Sequence, residues 1–259
     1  MAFEEFIGQQ QAIAALSDLL SQSQPTATLL VGPAGSGRSV AAAAALNAWR
    51  SPQELLIDLS ARQLVMNDRA GRDEDDPQFS FSQLRKLLSL RAVGRRGVLI
   101  TLDAANAQVQ NVLLKTFEEP PRDTWLIALS SNPSAVLATL RSRCHRVSFH
   151  PLTPQDLAAL ANRDGLTVAE GTIGRAGGSY ETLRWLAANP AADEAVARDD
   201  AAAVIAAALG CEDRRQATEH LLRVWPIAHP GRLAGCHEGI QALAKAARPE
   251  TCLALAALS

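Results

Sequence analysis

A glycine-rich segment near the start of the chain most constrains the fold. Residues 32–39 read GPAGSGRS, directly after the apolar run Thr26–Val31 and directly before the alanine-rich run Val40–Trp49. A glycine-rich turn between a strand and a helix gathers backbone N–H groups and the helix N-terminus around one point, which suits phosphate groups. The segment therefore predicts an α/β domain in which Gly32, Gly35 and Gly37 shape a phosphate-binding loop.

Two residues at the end of this loop bear on its chemistry. Phosphate loops of the pattern G-x-x-x-x-G-K-[ST] use the lysine on the phosphates and the hydroxyl on Mg²⁺. Arg38 stands in the lysine position here, and Ser39 supplies the hydroxyl. Arginine keeps the charge but is longer, planar and forked. We expect phosphate to fit and hydrolysis to be inefficient, because phosphoryl transfer depends on the positioning of the reacting groups. The alternative is an ordinary glycine-rich turn without a ligand.

Further apolar runs alternate with helical patterns along the first 150 residues. The predicted strands after the first are Glu54–Leu59, Gly97–Leu102, Trp125–Leu129 and Arg146–Phe149. Predicted helices lie between them, at residues 40–49, 81–93, 106–117 and 134–140, and the acidic, polar residues 67–79 are predicted to form a surface loop. Such alternation indicates a five-stranded parallel sheet with helices on both faces.

The pattern changes after Pro151, where strand signals stop and Ala, Leu and Arg recur at helical spacing. We predict an α/β domain over residues 1–150 and helical domains over 151–193 and 194–259, the second boundary resting on Asn189-Pro190. The net charge of −2 provides no general basic field for nucleic acid. Any DNA contact must then come from a local patch or from several subunits together.

Asp103 ends the third predicted strand, where a carboxylate can hold Mg²⁺ through water. Hydrolysing sites normally have a glutamate next, which orients the attacking water, but Ala104 follows here. The alternative role for Asp103 is the N-cap of the helix predicted from Asn106.

Other sequence features exclude several classes of protein. The four cysteines (Cys144, Cys211, Cys236, Cys252) lack the spacing of metal ligands, so we expect no zinc or other structural metal. No apolar run reaches the length needed to span a bilayer, and the acidic N-terminus lacks a signal-peptide charge pattern, so we expect a soluble, cytoplasmic protein without membrane contact.

Three segments, together with the glycine-rich loop, resemble one family in the expected order. FEEFIGQ at 3–9, LLKTFEEPP at 113–121 and LRSRC at 140–144 are similar to motifs of the AAA+ clamp-loader ATPases, above all to bacterial DNA polymerase III delta-prime subunits. The resemblance implies an AAA+ domain, a small helical lid and a shortened collar-like domain. It also implies hetero-oligomeric assembly with motor ATPase and delta-type subunits, which open a sliding clamp and place it on primed DNA.

The resemblance also implies roles for individual residues. Arg143 would reach into a neighbouring subunit's ATP site, and Asn132 would be a nucleotide sensor, although a turn residue before Pro133 is the alternative. A degenerate site for ATP or ADP with Mg²⁺ would comprise the loop residues, Asp103 and Asn132. Residues 40–97 lack the cysteines of the family's zinc module, and Glu181 stands where the lid often carries a nucleotide-sensing arginine.

These observations favour an assembly subunit that assists a neighbour's hydrolysis. An ATP-hydrolysing clamp-loader motor, another AAA+ motor such as a branch-migration helicase, and an adaptor without nucleotide are the alternatives. A run of basic residues could contact DNA phosphates or form a solvated helix face: Arg85, Lys86, Arg91, Arg95 and Arg96.

Overall fold

A computed structural model of the chain describes residues 3–4, 6–60, 63–66, 78–90, 94–103, 105–244 and 248–258. The chain divides into two compact units, Met1–His150 and Pro151–Ser259. The boundary lies where the strand pattern ends in the sequence. A further division near residue 193 stays a prediction.

The first unit contains a five-stranded, all-parallel sheet of the predicted kind. Its strands are β1 (Thr28–Val31), β2 (Leu56–Leu59), β5 (Arg96–Thr101), β6 (Thr124–Ser130) and β7 (His145–Ser148), in the order β2-β5-β6-β1-β7. Two short strands, β3 (Gln63–Val65) and β4 (Gln78–Ser80), form a separate parallel pair. This pair was not predicted: residues 78 and 79 belong to a strand and not to the loop, whose remaining residues, 67–77, lie outside the described part.

Helices cover both faces of the five-stranded sheet, as predicted. They are α1 (Gln10–Leu20), α2 (Arg38–Trp49), α3 (Phe81–Ser89), α4 (Ala107–Glu118) and α5 (Ala138–Arg141). Successive side chains of a strand point to opposite faces. In β1, Leu29 and Val31 therefore join the core beneath α3, α4 and α5, whereas Leu30 joins the core beneath α1 and α2.

The predicted single helix at 134–140 is wrong. The chain forms a 3-10 turn at Pro133–Ala135, an extended Val136 and Leu137, and then α5. The buried Gln110 of α4 stabilises this break: its Nε2 donates to the Ala135 carbonyl (3.0 Å), and its Oε1 accepts from the Leu137 N–H (2.8 Å). Two backbone groups that a continuous helix would use are bonded to this amide instead.

The second unit is helical throughout its described part. Its helices are α6 (Pro154–Arg163), α7 (Thr172–Arg175), α8 (Tyr180–Ala188), α9 (Pro190–Ala197), α10 (Ala201–Gly210), α11 (Arg214–Ala228), α12 (Leu233–Ala244) and α13 (Pro249–Leu258). Leu221 and Trp225 of α11 lie fully buried in its core. Across the described ranges, no helix has the length and apolarity that a membrane span requires.

A buried ion pair joins α7 to α9. Arg175 donates two hydrogen bonds to Asp193, from Nε (2.6 Å) and Nη2 (2.7 Å), and the Thr172 hydroxyl donates to the same carboxylate. The Asp193 side chain is 5% exposed and that of Arg175 16%. The hydrogen bonds that Asp193 accepts raise the pKa of the Arg175 guanidinium further above its usual value. The forked geometry and the third donor compensate for the desolvation of both charges.

His220 is a second buried polar group of this unit. Its Nδ1 lies 3.2 Å from the Thr182 hydroxyl, and its ring stacks on Trp185 at 5.3 Å between centroids. Burial, with the nearby Arg223 cation, lowers the pKa of His220 to about 4. The folded chain therefore holds this imidazole neutral at pH 7.

We expect acid to destabilise the fold through His220. The unfolded imidazole takes up a proton near pH 6.5 and the folded one only near pH 4, so stability is lost as the pH falls through this window. The group contributes a loss of about 2 kcal/mol in the free energy of unfolding between pH 7 and pH 5. Urea denaturation at pH 7 and pH 5 measures the free energy of unfolding at each pH. The difference between the two values should be smaller for His220→Gln than for wild type, whereas His145→Gln, at an exposed position, should keep the wild-type difference. An equal difference in wild type and His220→Gln would contradict the assignment.

Candidate functional site

The glycine-rich loop leaves the carboxyl end of β1 and enters α2. Gly35 (φ 71°) and Gly37 (φ 93°) adopt left-handed backbone conformations, and Gly37 is the N-cap of α2. A Cβ atom on Gly32 would lie 2.4 Å from the Phe149 carbonyl oxygen, too close for any other residue. The loop thus brings backbone N–H groups and a helix N-terminus together, as anion-binding turns do.

Gln9 fastens this loop to the end of the first unit. Its Nε2 donates to the Ser36 carbonyl (3.3 Å) and to the His150 carbonyl (2.5 Å), and its Oε1 accepts from the His150 N–H (3.0 Å). Gln9 itself has a left-handed backbone (φ 58°). Sequence reasoning noted Gln9 within the FEEFIGQ segment but did not predict these contacts.

Arg38 and Ser39 occupy the first turn of α2 in different surroundings. The Arg38 side chain is buried, with 8% of its surface exposed, whereas Ser39 is exposed. The serine hydroxyl is therefore accessible to a ligand at the loop. The arginine packs into the protein at the position where a phosphate loop normally extends a lysine.

Asp103 and Asn132 follow neighbouring strands beside the loop. The Asp103 carboxylate accepts from the Ser131 N–H (2.6 Å) and the Ser130 hydroxyl (3.0 Å) at the end of β6. The N-cap of α4 is Asn106, whose Oδ1 accepts from the Val109 N–H, so the alternative role proposed for Asp103 is wrong. Ala104 lies outside the described residues.

The Asn132 side chain caps the 3-10 turn, because its Oδ1 accepts from the Ser134 N–H (3.0 Å). This contact fits a turn residue. Since β5, β6 and β1 are adjacent and parallel, Asp103, Asn132 and the glycine loop follow their carboxyl ends at one edge of the sheet, where open α/β sheets bind ligands.

Arg143 lies in the turn between α5 and β7. Its Nε donates to a carboxylate oxygen of Glu118, the last residue of α4, and its Nη1 donates to the Thr139 carbonyl (2.8 Å). The side chains of Arg143 and Glu118 are 35% and 43% exposed. The guanidinium is thus held at Nε and Nη1, and the side chain stays partly exposed.

The basic run near α3 is only partly available to a ligand. Arg96 is 1% exposed, and its guanidinium donates to the Leu88 and Leu90 carbonyls at the end of α3. Arg95 lies over the Trp49 ring and donates to the Trp49 carbonyl. Arg85 and Lys86 are exposed on α3, and Arg91 lies outside the described residues. The burial of Arg96 rules out the DNA contact considered for it, whereas Arg95 is exposed and its contact with DNA stays a prediction.

Cys144 and Cys236 have the surroundings of structural thiols. Burial raises the pKa of Cys144 to about 12 and that of Cys236 to about 11. Within the described ranges, no group of three or more His, Cys, Asp or Glu side chains could hold a metal ion. The absence of zinc from the protein stays a prediction.

Comparisons with known proteins agree with the motifs. A family described as "DNA polymerase III, delta subunit" matches residues 82–153. DNA polymerase III subunit delta' of Escherichia coli is 50% identical over 56 residues, which are 22% of this chain and 14% of that protein. DNA polymerase III subunit gamma/tau of Mycobacterium tuberculosis is 30% identical over 181 residues, or 62% of this chain and 31% of that protein. These similarities support a clamp-loader-family AAA+ protein of bacterial DNA polymerase III.

Similarity to solved structures shows the AAA+ fold. A DNA polymerase III gamma subunit-related protein of Thermotoga maritima superposes with a TM-score of 0.59 at 12% identity, over 95% of this chain and 97% of that one. A RuvB variant of the same organism superposes with a TM-score of 0.56 at 17% identity, over 96% and 85%. The alignments span less than half the length of each of the two curated relatives above.

Proposed function

We propose that the chain is a delta-prime-like clamp-loader subunit, which joins motor ATPase and delta-type subunits and donates Arg143 to a neighbour's ATP site. In this assembly it helps to load the sliding clamp onto primed DNA, which it meets through the complex. The observation that carries the proposal is the position of Arg143 relative to the chain's own glycine loop.

Arg143 and the glycine loop lie at opposite ends of the same sheet. In the pairing of β1 with β7, Thr28 stands beside His145 and Val31 beside Ser148. Arg143 precedes His145 and so lies at the amino end, whereas Gly32 follows Val31 at the carboxyl end. The paired strands alone separate these ends by about 10 Å, at roughly 3.3 Å per residue. An arginine so placed serves a nucleotide outside its own subunit, where its charge can stabilise the transferring phosphoryl group.

The chain's own site suits weak binding of ATP or ADP with Mg²⁺ better than turnover. Gly32, Gly35 and Gly37 shape the loop and Ser39 is accessible, but Arg38 is buried. Asp103 already accepts two hydrogen bonds from β6 and its end. In the sequence, Ala104 replaces the glutamate that would orient water.

We expect the isolated chain to turn over ATP far more slowly than about 1 s⁻¹, the lower end of ordinary enzyme rates. Arg38→Lys should not restore hydrolysis, because the glutamate after Asp103 is still missing. A steady-state ATPase assay measures both, and binding of a fluorescent ADP, measured separately, distinguishes a nucleotide-binding subunit from a pure adaptor. Turnover at or above this rate would favour the alternative of an ATP-hydrolysing motor, which the longer match to gamma/tau also supports.

Reconstitution tests the proposed function as a whole. The chain is mixed with the motor and delta-type subunits of the same replicase, and the complex is isolated by size exclusion. We expect clamp-dependent and primed-DNA-dependent ATP hydrolysis, together with clamp loading, only when the chain is included. A fully active complex assembled without it would refute the proposal.

A further inference from the structure

Two of the three nitrogens of the Arg143 guanidinium are bonded to groups of its own chain. Nε donates to Glu118, and Nη1 donates to the Thr139 carbonyl. Within the described part of the chain Nη2 donates no hydrogen bond. Nε and Nη1 are therefore bonded within the chain, and the two N–H groups of Nη2 remain as donors. The arginine is restrained without being fully occupied.

The carboxylate that restrains Arg143 stands on a firmly packed helix. Leu113 and Phe117 of α4 are 1% and 2% exposed in the sheet core, and Glu118 directly follows Phe117. Gln110 of the same helix binds the backbone at Ala135 and Leu137, which leads into α5 and Arg143. Helix α4 therefore holds both the Glu118 carboxylate and, through Gln110, the backbone that leads to Arg143.

We infer that Glu118 is a positioning residue for Arg143, which fixes the guanidinium so that its unbonded Nη2 donors are presented to the neighbouring subunit's nucleotide. This inference rests on the proposed function. A free arginine side chain samples many rotamers, and fixing it at the moment of reaction costs conformational entropy. A carboxylate that orders it beforehand removes that cost and holds the geometry within the tolerance that catalysis requires.

The Glu118–Arg143 ion pair should add little to the stability of the fold. Half-exposed ion pairs typically add almost nothing measurable to stability, and Glu118 ends its helix at the surface. Loss of the Glu118 carboxylate should therefore leave the unfolding transition and complex formation unchanged. Its effect should appear in the rate of the hydrolytic step.

The test compares variants in the reconstituted complex with ATP as the substrate. The reference is the Arg143-dependent part of the turnover, which is the difference between wild type and Arg143→Ala. We expect Glu118→Ala to lower this part about tenfold or more, with the KM for ATP within about twofold, because the guanidinium acts on the transition state. Glu118→Gln can still accept the Nε hydrogen bond. It should therefore retain more of the Arg143-dependent turnover than Glu118→Ala.

Glu119→Ala is the matched control, because it removes the same charge from the next residue, which is exposed. It should leave the rate unchanged, and Glu118→Ala combined with Arg143→Ala should be no slower than Arg143→Ala alone. Equal rates for Glu118→Ala and Glu119→Ala, with Arg143→Ala slow, would overturn the inference and leave the proposed function intact. A faster Glu118→Ala would show that Glu118 restrains the arginine unproductively, and an Arg143→Ala complex of wild-type rate would overturn both.

Discussion

Replacing Arg143 with alanine in the assembled complex should slow ATP hydrolysis at one neighbouring site by about 10³–10⁵-fold, the range found for trans-acting arginines. The guanidinium would no longer offset the charge that develops on the transferring phosphoryl group. In the proposed assembly the other sites would have their own arginines, so total turnover should fall only in part. Clamp loading should fall with the affected site.

The measurement is ATPase rate, clamp loading and complex formation on the same reconstituted samples. Arg143→Lys should recover little, because a point charge cannot reproduce the fork. Arg146→Ala is the matched control: it removes an exposed arginine from the edge strand β7, three residues away. Unchanged ATPase and clamp loading in an intact Arg143→Ala complex would show that this arginine is a surface charge and nothing more.

Asp193→Ala should destabilise the second unit by about 3–5 kcal/mol. The substitution leaves the Arg175 guanidinium largely buried without its carboxylate, and the Thr172 hydroxyl loses its acceptor. Chemical denaturation followed by circular dichroism measures the loss in the free energy of unfolding.

Glu194→Ala provides the comparison one residue away. Glu194 pairs with Arg198 on the exposed side of α9, where the two side chains are 60% and 71% exposed. Such a pair contributes at most about 0.5 kcal/mol. Replacing both buried partners, as Arg175→Met with Asp193→Leu, should cost less than Asp193→Ala alone, since no buried charge is left unpaired. Equal losses for Asp193→Ala and Glu194→Ala would exclude a stabilising role for the buried pair.

The parts of the fold that could be predicted from sequence are those with local signals. β1, β5 and β6 are apolar runs buried on both sides, and the glycines of the loop need backbone angles that other residues disfavour. The same reasoning missed β3 and β4, because a three-residue strand has too few side chains to show an alternating pattern.

Contacts between distant residues explain the remaining errors. The break before α5 depends on Gln110, more than twenty residues earlier, and no local pattern at 134–140 reveals it. Arg96 belongs to a basic run typical of a surface, yet its buried guanidinium binds carbonyls at the end of α3. At the candidate site, sequence motifs indicated Arg143 and Asp103 individually, but Glu118 and the β6 donors that hold them emerged only from the folded chain.

The contacts of Gln9 indicate the minimum length of a fragment that keeps the first unit intact. One amide bonds the loop carbonyl of Ser36 and both backbone groups of His150, so the last residue of the unit helps to hold the first turn after β1. A fragment cut at the end of β7, at Ser148, would retain all five strands of the sheet but release two of these three hydrogen bonds. It would also lose Phe149, whose carbonyl lies against Gly32. Hydrogen exchange at the loop amides should then be faster in such a fragment than in one that extends through His150, although both contain the whole sheet.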